Sequence, residues 1–178
     1  MIRIAWLLAS IVLTAFPILE IQVHPLPGFE TSISLAGVRG RIDHLSIDPQ
    51  GGRLFVAALD NNTLEVINLK QRTVIHTISG LHEPQGVLYL SALNRLYIAN
   101  GEDGTVRVFD GRSYAAIKTT ALGDDADNIR YDAQRHLIYV GYGTGGLAVL
   151  NEEAVLQRFL SKVADGWCPA GLLSRQSK

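Results

Sequence analysis

The sequence repeats one pattern of apolar residues three times, and this repeat limits the folds that are open to the chain. The segment RLYIANGEDGTVRVFDG, which begins at Arg95, closely matches RLFVAALDNNTLEVINL, which begins at Arg53. The aromatic residues Phe55, Tyr97 and Tyr139 lie 42 positions apart in successive copies. A repeat of about 42 residues that is built from strands is typical of the blades of a β-propeller. We therefore expect an all-β fold.

Each repeat reads as four short strands. In the first repeat we predict strands at residues 44–48, 54–58, 63–69 and 73–79. Apolar and β-branched residues dominate these segments, and Gly, Pro and Asn interrupt them about every ten residues. The second strand is apolar throughout, which is typical of a strand that is buried on both faces between neighbouring sheets.

The repeat region covers residues 30–151 and predicts between two and a half and three four-stranded blades. The units fall at about 42–81, 82–123 and 124–151. The segment ETSISL at 30–35 matches the outer strand that closes a propeller ring. Because a closed propeller has about four to eight blades, the chain resembles the N-terminal part of one. We expect the open blade faces to self-associate, since exposed apolar faces favour association.

Residues 152–178 do not continue the repeat, and we predict a helix over 152–166. Asn151 suits the N-cap and Gly166 suits the C-terminal end of such a helix. The apolar residues between them then fall on one stripe. The alternative is a strand at 157–162 that completes the third blade.

The N-terminus is typical of an exported protein. A basic residue at position 3 precedes the uncharged stretch IAWLLASIVLTAF, which is shorter than the roughly 20 residues of a membrane-spanning helix. We interpret residues 1–16 as a signal peptide or an uncleaved anchor, which predicts a periplasmic or extracellular protein. The alternative is that this segment is a buried strand or helix of the fold.

Composition and motifs exclude several classes of function. The net charge of −1 and the pI near 6.5 provide no basic field for nucleic acid or an anionic membrane. Cys168 is the only cysteine, so no intrachain disulfide forms. The segment GYGTGG at 141–146 fits a dinucleotide motif, but that motif requires a following helix. Because the strand pattern LAVLN follows instead, we predict a tight turn and no cofactor.

The apolar motifs resemble a known repeat. LFVAA, LYIAN and IYVGY are each followed by a loop and then by LEVIN, VRVFD or LAVLN, and this succession resembles the YVTN-type repeat of the YncE-like β-propeller family. The resemblance covers about residues 41–151. It implies a propeller that binds a ligand or a partner, and some related propellers are enzymes. Polar residues recur where the third strand ends, and we predict that they form Asx turns; they are Asn68, Asp110 and Asn151.

The polar residues that enter the first strand of each repeat form a candidate binding site. In a propeller, these connections share one face with the loops between the second and third strands, around the axial funnel. Carboxylate and imidazole groups at this place can hold a divalent metal, but no diagnostic ligand spacing occurs. The alternative is that they solvate a polar channel mouth. The candidates are Asp43, His44, His82, Glu83, Gln85, Asp125, Asp127 and Asn128.

These features together predict an exported, non-catalytic propeller scaffold that binds a protein or a small molecule at its loop face. The alternative is a fragment of a lactonase-like or quinoprotein-like propeller enzyme with a metal or cofactor in the funnel. We assign no catalytic residue. Contact with a membrane is expected only through an uncleaved N-terminal segment.

Overall fold

The computed structural model describes residues 32–161, which fold into three antiparallel sheets of four strands each. The strands of each sheet are consecutive in the chain and lie side by side in chain order. No α-helix occurs within this range. The all-β prediction is confirmed, and the arrangement is that of a partial β-propeller with three complete blades.

The strand bounds define the three blades. Blade 1 consists of β1 (Leu45–Asp48), β2 (Arg53–Ala58), β3 (Thr63–Asn68) and β4 (Thr73–Ile78), with a short 3-10 helix at Leu59–Asn61. Blade 2 consists of β5 (Pro84–Leu90), β6 (Arg95–Asn100), β7 (Thr105–Asp110) and β8 (Ala116–Ala121). Blade 3 consists of β9 (Ala126–Asp132), β10 (Leu137–Tyr142), β11 (Gly146–Asn151) and β12 (Leu156–Ser161). The four predicted strands of the first repeat agree with these bounds to within one residue.

The aromatic residues of the repeat occupy equivalent positions, as predicted. Phe55, Tyr97 and Tyr139 each lie opposite a valine of the third strand of their blade. Phe55 and Tyr97 are fully buried, whereas Tyr139 is half-buried. The difference follows from position, because blade 2 covers Phe55 and blade 3 covers Tyr97, but no further blade follows blade 3 within residues 32–161.

Apolar side chains between neighbouring blades form two cores. Phe55 of blade 1 packs in one core with Leu96 of blade 2, and Tyr97 of blade 2 packs in the other with Val140 of blade 3. Full burial of one such side chain contributes roughly 1.5–3 kcal/mol. We call the side of a blade that faces the preceding blade its leading face, and the opposite side its trailing face.

Arg53 links blade 1 to blade 2. Its guanidinium donates to the Asp48 carboxylate at 2.8 Å and, across the blade boundary, to the hydroxyls of Tyr89 and Tyr114 at 3.1 Å each. Burial opposes ionisation of Asp48, but hydrogen bonds from the Gly51 N–H and from Arg53 outweigh it and lower the pKa of that carboxyl. The buried carboxylate is therefore charged at neutral pH and holds Arg53 in place.

Tyr97 links blade 2 to blade 3. Its hydroxyl donates to the backbone carbonyl of Glu152, and nearby the Thr120 hydroxyl donates to the carbonyl of Ala154 at 2.6 Å. Burial raises the pKa of Tyr97 to about 12. The hydroxyl thus keeps its proton at neutral pH and remains a donor.

The predicted Asx turns are confirmed. The side chains of Asn68, Asp110 and Asn151 accept hydrogen bonds of 2.7–2.9 Å from backbone N–H groups two to four residues further along the chain. The recurrence of these residues is explained by the turn between the third and fourth strands of each blade.

The predicted helix over 152–166 is wrong in its described part, where β12 (Leu156–Ser161) completes blade 3. The turn before β12 contains neither Gly nor Pro, and Ala154 adopts a φ of +53° in it. Such a conformation is uncommon for a residue other than glycine, but Arg72 and Tyr114 adopt it in the equivalent turns of blades 1 and 2, with φ of +59° and +58°. Asn151 forms this turn as Asn68 and Asp110 form theirs, whereas the helix prediction used Asn151 as an N-cap. As a strand, this segment pairs with β11 and places Phe159 against the core between blades 2 and 3.

Two further predictions concern single segments. The GYGTGG segment forms the predicted tight turn, because β11 pairs with β10 directly after it, with Tyr142 opposite Gly146. The predicted outer strand at 30–35 is wrong in its described part, since residues 32–35 are not in a strand. Each sheet is already completed by the fourth strand of its own repeat.

Several predictions fall on parts of the chain that the structure leaves undescribed. The signal or anchor at 1–16, Cys168 and the remainder of the tail from 162 onwards lie outside the described residues. Of the helices in the described range, none is long and apolar enough to cross a membrane.

Removing the Phe55 side chain tests the packing between blades. We expect Phe55→Ala to lower the free energy of unfolding by about 3–5 kcal/mol, because it empties a buried aromatic site. Ile117→Ala, at a side chain that is 48% exposed on β8, is the control and should cost less. Urea unfolding followed by circular dichroism measures both. A loss below about 1 kcal/mol for Phe55→Ala, which is typical of exposed sites, would contradict the assigned register.

Candidate functional site

The loops between the second and third strands lie beside the segments that enter the first strands, as expected for a propeller. In blade 1 the N–H of Arg41 donates to the Asp60 carboxylate at 2.6 Å. In blade 3 the N–H of Gly143 donates to the carbonyl of Asp125 at 2.8 Å. Blade 2 shows contacts of the same kind. We call this surface the loop face; it comprises residues 39–44, 59–62, 79–85, 101–104, 122–128 and 143–145.

Asp43 and His44 extend the edge of blade 1 beyond β1. The Asp43 N–H donates to the carbonyl of Ala57 at 2.9 Å, and the Ala57 N–H donates to the carbonyl of His44 at 3.0 Å. The Asp43 carboxylate lies 2.6 Å from the Arg41 guanidinium and 3.0 Å from His44 Nδ1. Its charge is therefore compensated within the protein, and a metal at this place would have to compete with Arg41.

His82 and Glu83 lie in the connection between blades 1 and 2. The backbone of Glu83 adopts a φ of +49°, and its N–H donates to Asn62 Oδ1 at 2.7 Å. This hydrogen bond holds a backbone conformation that is uncommon for a residue with a side chain. The Glu83 side chain is exposed, while His82 Nδ1 lies 3.4 Å from the Glu102 carboxylate.

A side-chain hydrogen bond connects the loop face of blade 2 to that of blade 3. Gln85 Nε2 donates to Asp125 Oδ1 at 3.0 Å. Gly101 lies directly against this pair, so that a Cβ at position 101 would come within 2.8 Å of Asp125 Oδ1 and would overlap the Gln85 amide. The absence of a side chain at Gly101 is thus a condition for the Gln85–Asp125 contact.

Asp127 and Asn128 lie in β9, the first strand of blade 3. A Cβ at Gly86 would overlap the carbonyl of Asp127, so this glycine lets β5 and β9 approach closely. Asn128 Oδ1 is buried and finds no hydrogen-bond partner among the described residues. Both residues therefore belong to the contact between the first strands of two blades as much as to the surface.

The eight candidates share one face, but the structure does not gather them into a metal centre. It brings Asp43 to His44 and Gln85 to Asp125, and it places His82 beside Glu102, which is not among the candidates. Within residues 32–161, no group of three or more His, Cys, Asp or Glu side chains is placed to hold a metal ion. The arrangement provides a polar surface with fixed pairs.

The sequence prediction missed the loop residues that hold the candidates in place. Asn62 fixes Glu83, and Gly101 makes room for Gln85. Both belong to loops between second and third strands, in the turn-forming segments LDNNT and GEDGT. The sequence could have pointed to both residues, because Asn and Gly are frequent in these loops and the fold places the loops beside the candidates.

Negative charge is concentrated on the loop face. Its two arginines are Arg39 and Arg41, and Arg107 reaches it from β7 to pair with Asp103 at 3.2 Å, against eight carboxylates. The whole chain has a net charge of only −1. Such an asymmetry gives this face a negative potential. The carboxylates are Asp43, Asp60, Glu83, Glu102, Asp103, Asp124, Asp125 and Asp127.

Comparisons with known proteins identify the fold alone. The sequence matches no known protein family and no curated protein. Among solved structures, the chain is similar to hydrazine synthase from Kuenenia stuttgartiensis, with a TM-score of 0.61 and 18% identity over 72% of this chain and 39% of that one. It is also similar to Sqt1 from Saccharomyces cerevisiae, with a TM-score of 0.58 and 15% identity over 66% of this chain and 34% of that one. Both contain propellers, and this chain spans less than half the length of either.

A double-mutant cycle tests the contact at Gly101. We expect Gly101→Ala to destabilise the fold by about 0.5–1.5 kcal/mol, because the new methyl group displaces Gln85 from its hydrogen bond to Asp125. In a Gln85→Ala background the same substitution should cost clearly less, since the displaced amide is already gone. Thermal unfolding of the four proteins measures the coupling. Equal costs in both backgrounds would contradict the contact.

Proposed function

We propose that the chain is an exported, non-catalytic propeller scaffold of the YVTN/YncE-like type, whose loop face binds a basic segment of a partner protein. Three complete blades and propeller-containing structural neighbours support the scaffold. The basic residue and apolar stretch at 1–16 support export. The charge of the loop face supports the choice of partner and is the observation that carries the proposal.

The acidic groups that would contact a partner are accessible and uncompensated. Glu83, Asp124 and Asp125 are exposed, and none of them lies in an ion pair within the described range. Exposed charges of one sign attract a partner of opposite charge over about 8–10 Å at physiological ionic strength. Lysine and arginine side chains supply that charge and hydrogen-bond donors for the carboxylates.

The loop face is also held in shape before a partner arrives. Asn62 fixes the turn at Glu83, and the Gln85–Asp125 hydrogen bond joins two blades across it. A surface that is already ordered loses less conformational entropy on binding than a mobile one. This rigidity favours a binding role in which the scaffold presents charges at fixed positions.

Titration with a basic peptide tests this function. We expect a short lysine-rich peptide to bind the full chain at low salt and to dissociate as salt is added, because the attraction between exposed charges is screened. Asp124→Asn together with Asp125→Asn should weaken binding several-fold. The matched control is Glu153→Gln, which removes an exposed carboxylate from the turn before β12. Fluorescence anisotropy of a labelled peptide measures the dissociation constants.

Two results would contradict the proposed function. One is the absence of binding at low salt, with a glutamate-rich peptide behaving like the lysine-rich one. The other is equal weakening by Glu153→Gln and by the double substitution, which would show attraction to the whole molecule without a preferred face.

A further inference from the structure

Blade 1 exposes a row of apolar side chains along the segment that leads into and forms its first strand. Ile42 is 49% exposed, Leu45 57% and Ile47 52%. Leu45 and Ile47 lie opposite Val56 and Leu54 of β2, which places them on the leading face of blade 1. Large apolar side chains that are exposed together mark an interaction surface.

The other two blades show what normally covers these positions. The residues 42 positions further on are Pro84, Val87 and Tyr89, and Val87 is only 6% exposed because it packs against blade 1. In blade 3 the equivalent of Leu45 is Ile129, which is 2% exposed and packs in the core shared with blade 2. Leu45 and Ile47 are exposed because no blade within residues 32–161 covers them.

The trailing face of blade 3 also exposes an apolar side chain at a position that is buried in blade 1. Leu160 lies opposite Leu147 in the sheet, just as Ile78 lies opposite Leu64 in blade 1. Ile78 is 5% exposed and packs in the core between blades 1 and 2, whereas Leu160 is 41% exposed. Leu160 therefore occupies a position that a following blade would bury.

We propose that the leading face of blade 1 docks on the trailing face of blade 3 of a second copy of this chain, so that two copies form one ring of six blades. Closed propellers contain about four to eight blades. The three blades within residues 32–161 of one copy are too few for a closed ring, and the nine of three copies are too many, whereas those of two copies make six. Contacts between two different faces form a closed ring when the rotation per subunit closes.

The side chains at this contact are compatible with the internal blade contacts. Between blades 1 and 2, the rings of Phe55 and Tyr89 lie 5.0 Å apart. In the contact between copies, Tyr139 takes the position of Phe55 and Ile47 that of Tyr89. An aliphatic side chain then packs on a half-buried aromatic ring, as in an ordinary apolar core.

The two faces carry charged groups of opposite sign. The group on the leading face of blade 1, Glu65, is only 5% exposed. Glu65 lies opposite Val56 on the leading face of blade 1, and its carboxylate is bound by the hydroxyls of Thr63 and Thr77 at 2.7 and 2.6 Å, with no cation in contact among the described residues. The trailing face of blade 3 carries two exposed arginines, Arg130 opposite Tyr139 and Arg158 opposite Val149. This charge complementarity favours a second copy of the chain over an uncharged partner as the group that covers these faces.

Size exclusion coupled to light scattering tests the ring with the full chain. The wild type should elute as one species of twice the 19.4 kDa chain mass. Leu45→Asp with Ile47→Asp places charges on the apolar leading face of blade 1. Arg130→Glu with Leu160→Asp reverses one charge and adds another on the trailing face of blade 3. Each double variant should be a monomer. An equimolar mixture of the two should form a two-chain species, because the first variant keeps its trailing face and the second keeps its leading face. Because all four residues are exposed, circular dichroism should show unchanged folding.

The matched control is Ile117→Asp, which charges a side chain that is 48% exposed on β8, away from both faces; it should leave the two-chain species intact. A monomeric wild type would overturn the proposal, as would species larger than two chains. A trailing-face variant that remains a dimer would also overturn it, since this would mean that two leading faces pair with each other. None of these results depends on the binding of a basic peptide, so the proposed function is tested separately.

Discussion

The packing of one blade's trailing face against the next blade's leading face is the interaction on which the rest of this structure depends. A single four-stranded sheet with apolar residues on both sides cannot exclude water from either. The contacts between blades 1 and 2 and between blades 2 and 3 exclude water from these faces. Phe55 and Tyr97 lie in these contacts, and both are fully buried. The polar surface exists because these contacts bring successive loops to the same face.

Much of this fold is predictable because its signals are local. The spacing between Phe55, Tyr97 and Tyr139 predicts the number of repeats, and the Asn or Asp at the end of each third strand predicts a turn that its own side chain stabilises. The strand after Asn151 was predicted as a helix because the Asn151 side chain that forms this turn also suits a helix N-cap, and the apolar residues that follow it also fit a helical stripe. The choice between strand and helix depends on pairing with β11 and on packing of Phe159 against the core between blades 2 and 3.

The loop face was predictable in its position and less so in its chemistry. Repeat topology places Asp43, Gln85 and Asp125 on one side of the molecule, and this much follows from sequence. Which groups meet depends on distances that no repeat encodes: Arg41 compensates Asp43, and the space above Gly101 lets Gln85 reach Asp125. Because these side chains are held by partners within the protein, they form an ordered acidic surface.

Native-state hydrogen exchange measures the central claim most directly, because it reports whether the blades open together or one at a time. If each blade is held by its neighbour, the slowest amides of β2 and β6 should exchange with the same opening free energy, and Phe55→Ala should lower both equally. Exchange of the β2 amides at a lower free energy while the β6 amides stay protected would contradict the account, since blade 1 would then unfold independently of blade 2.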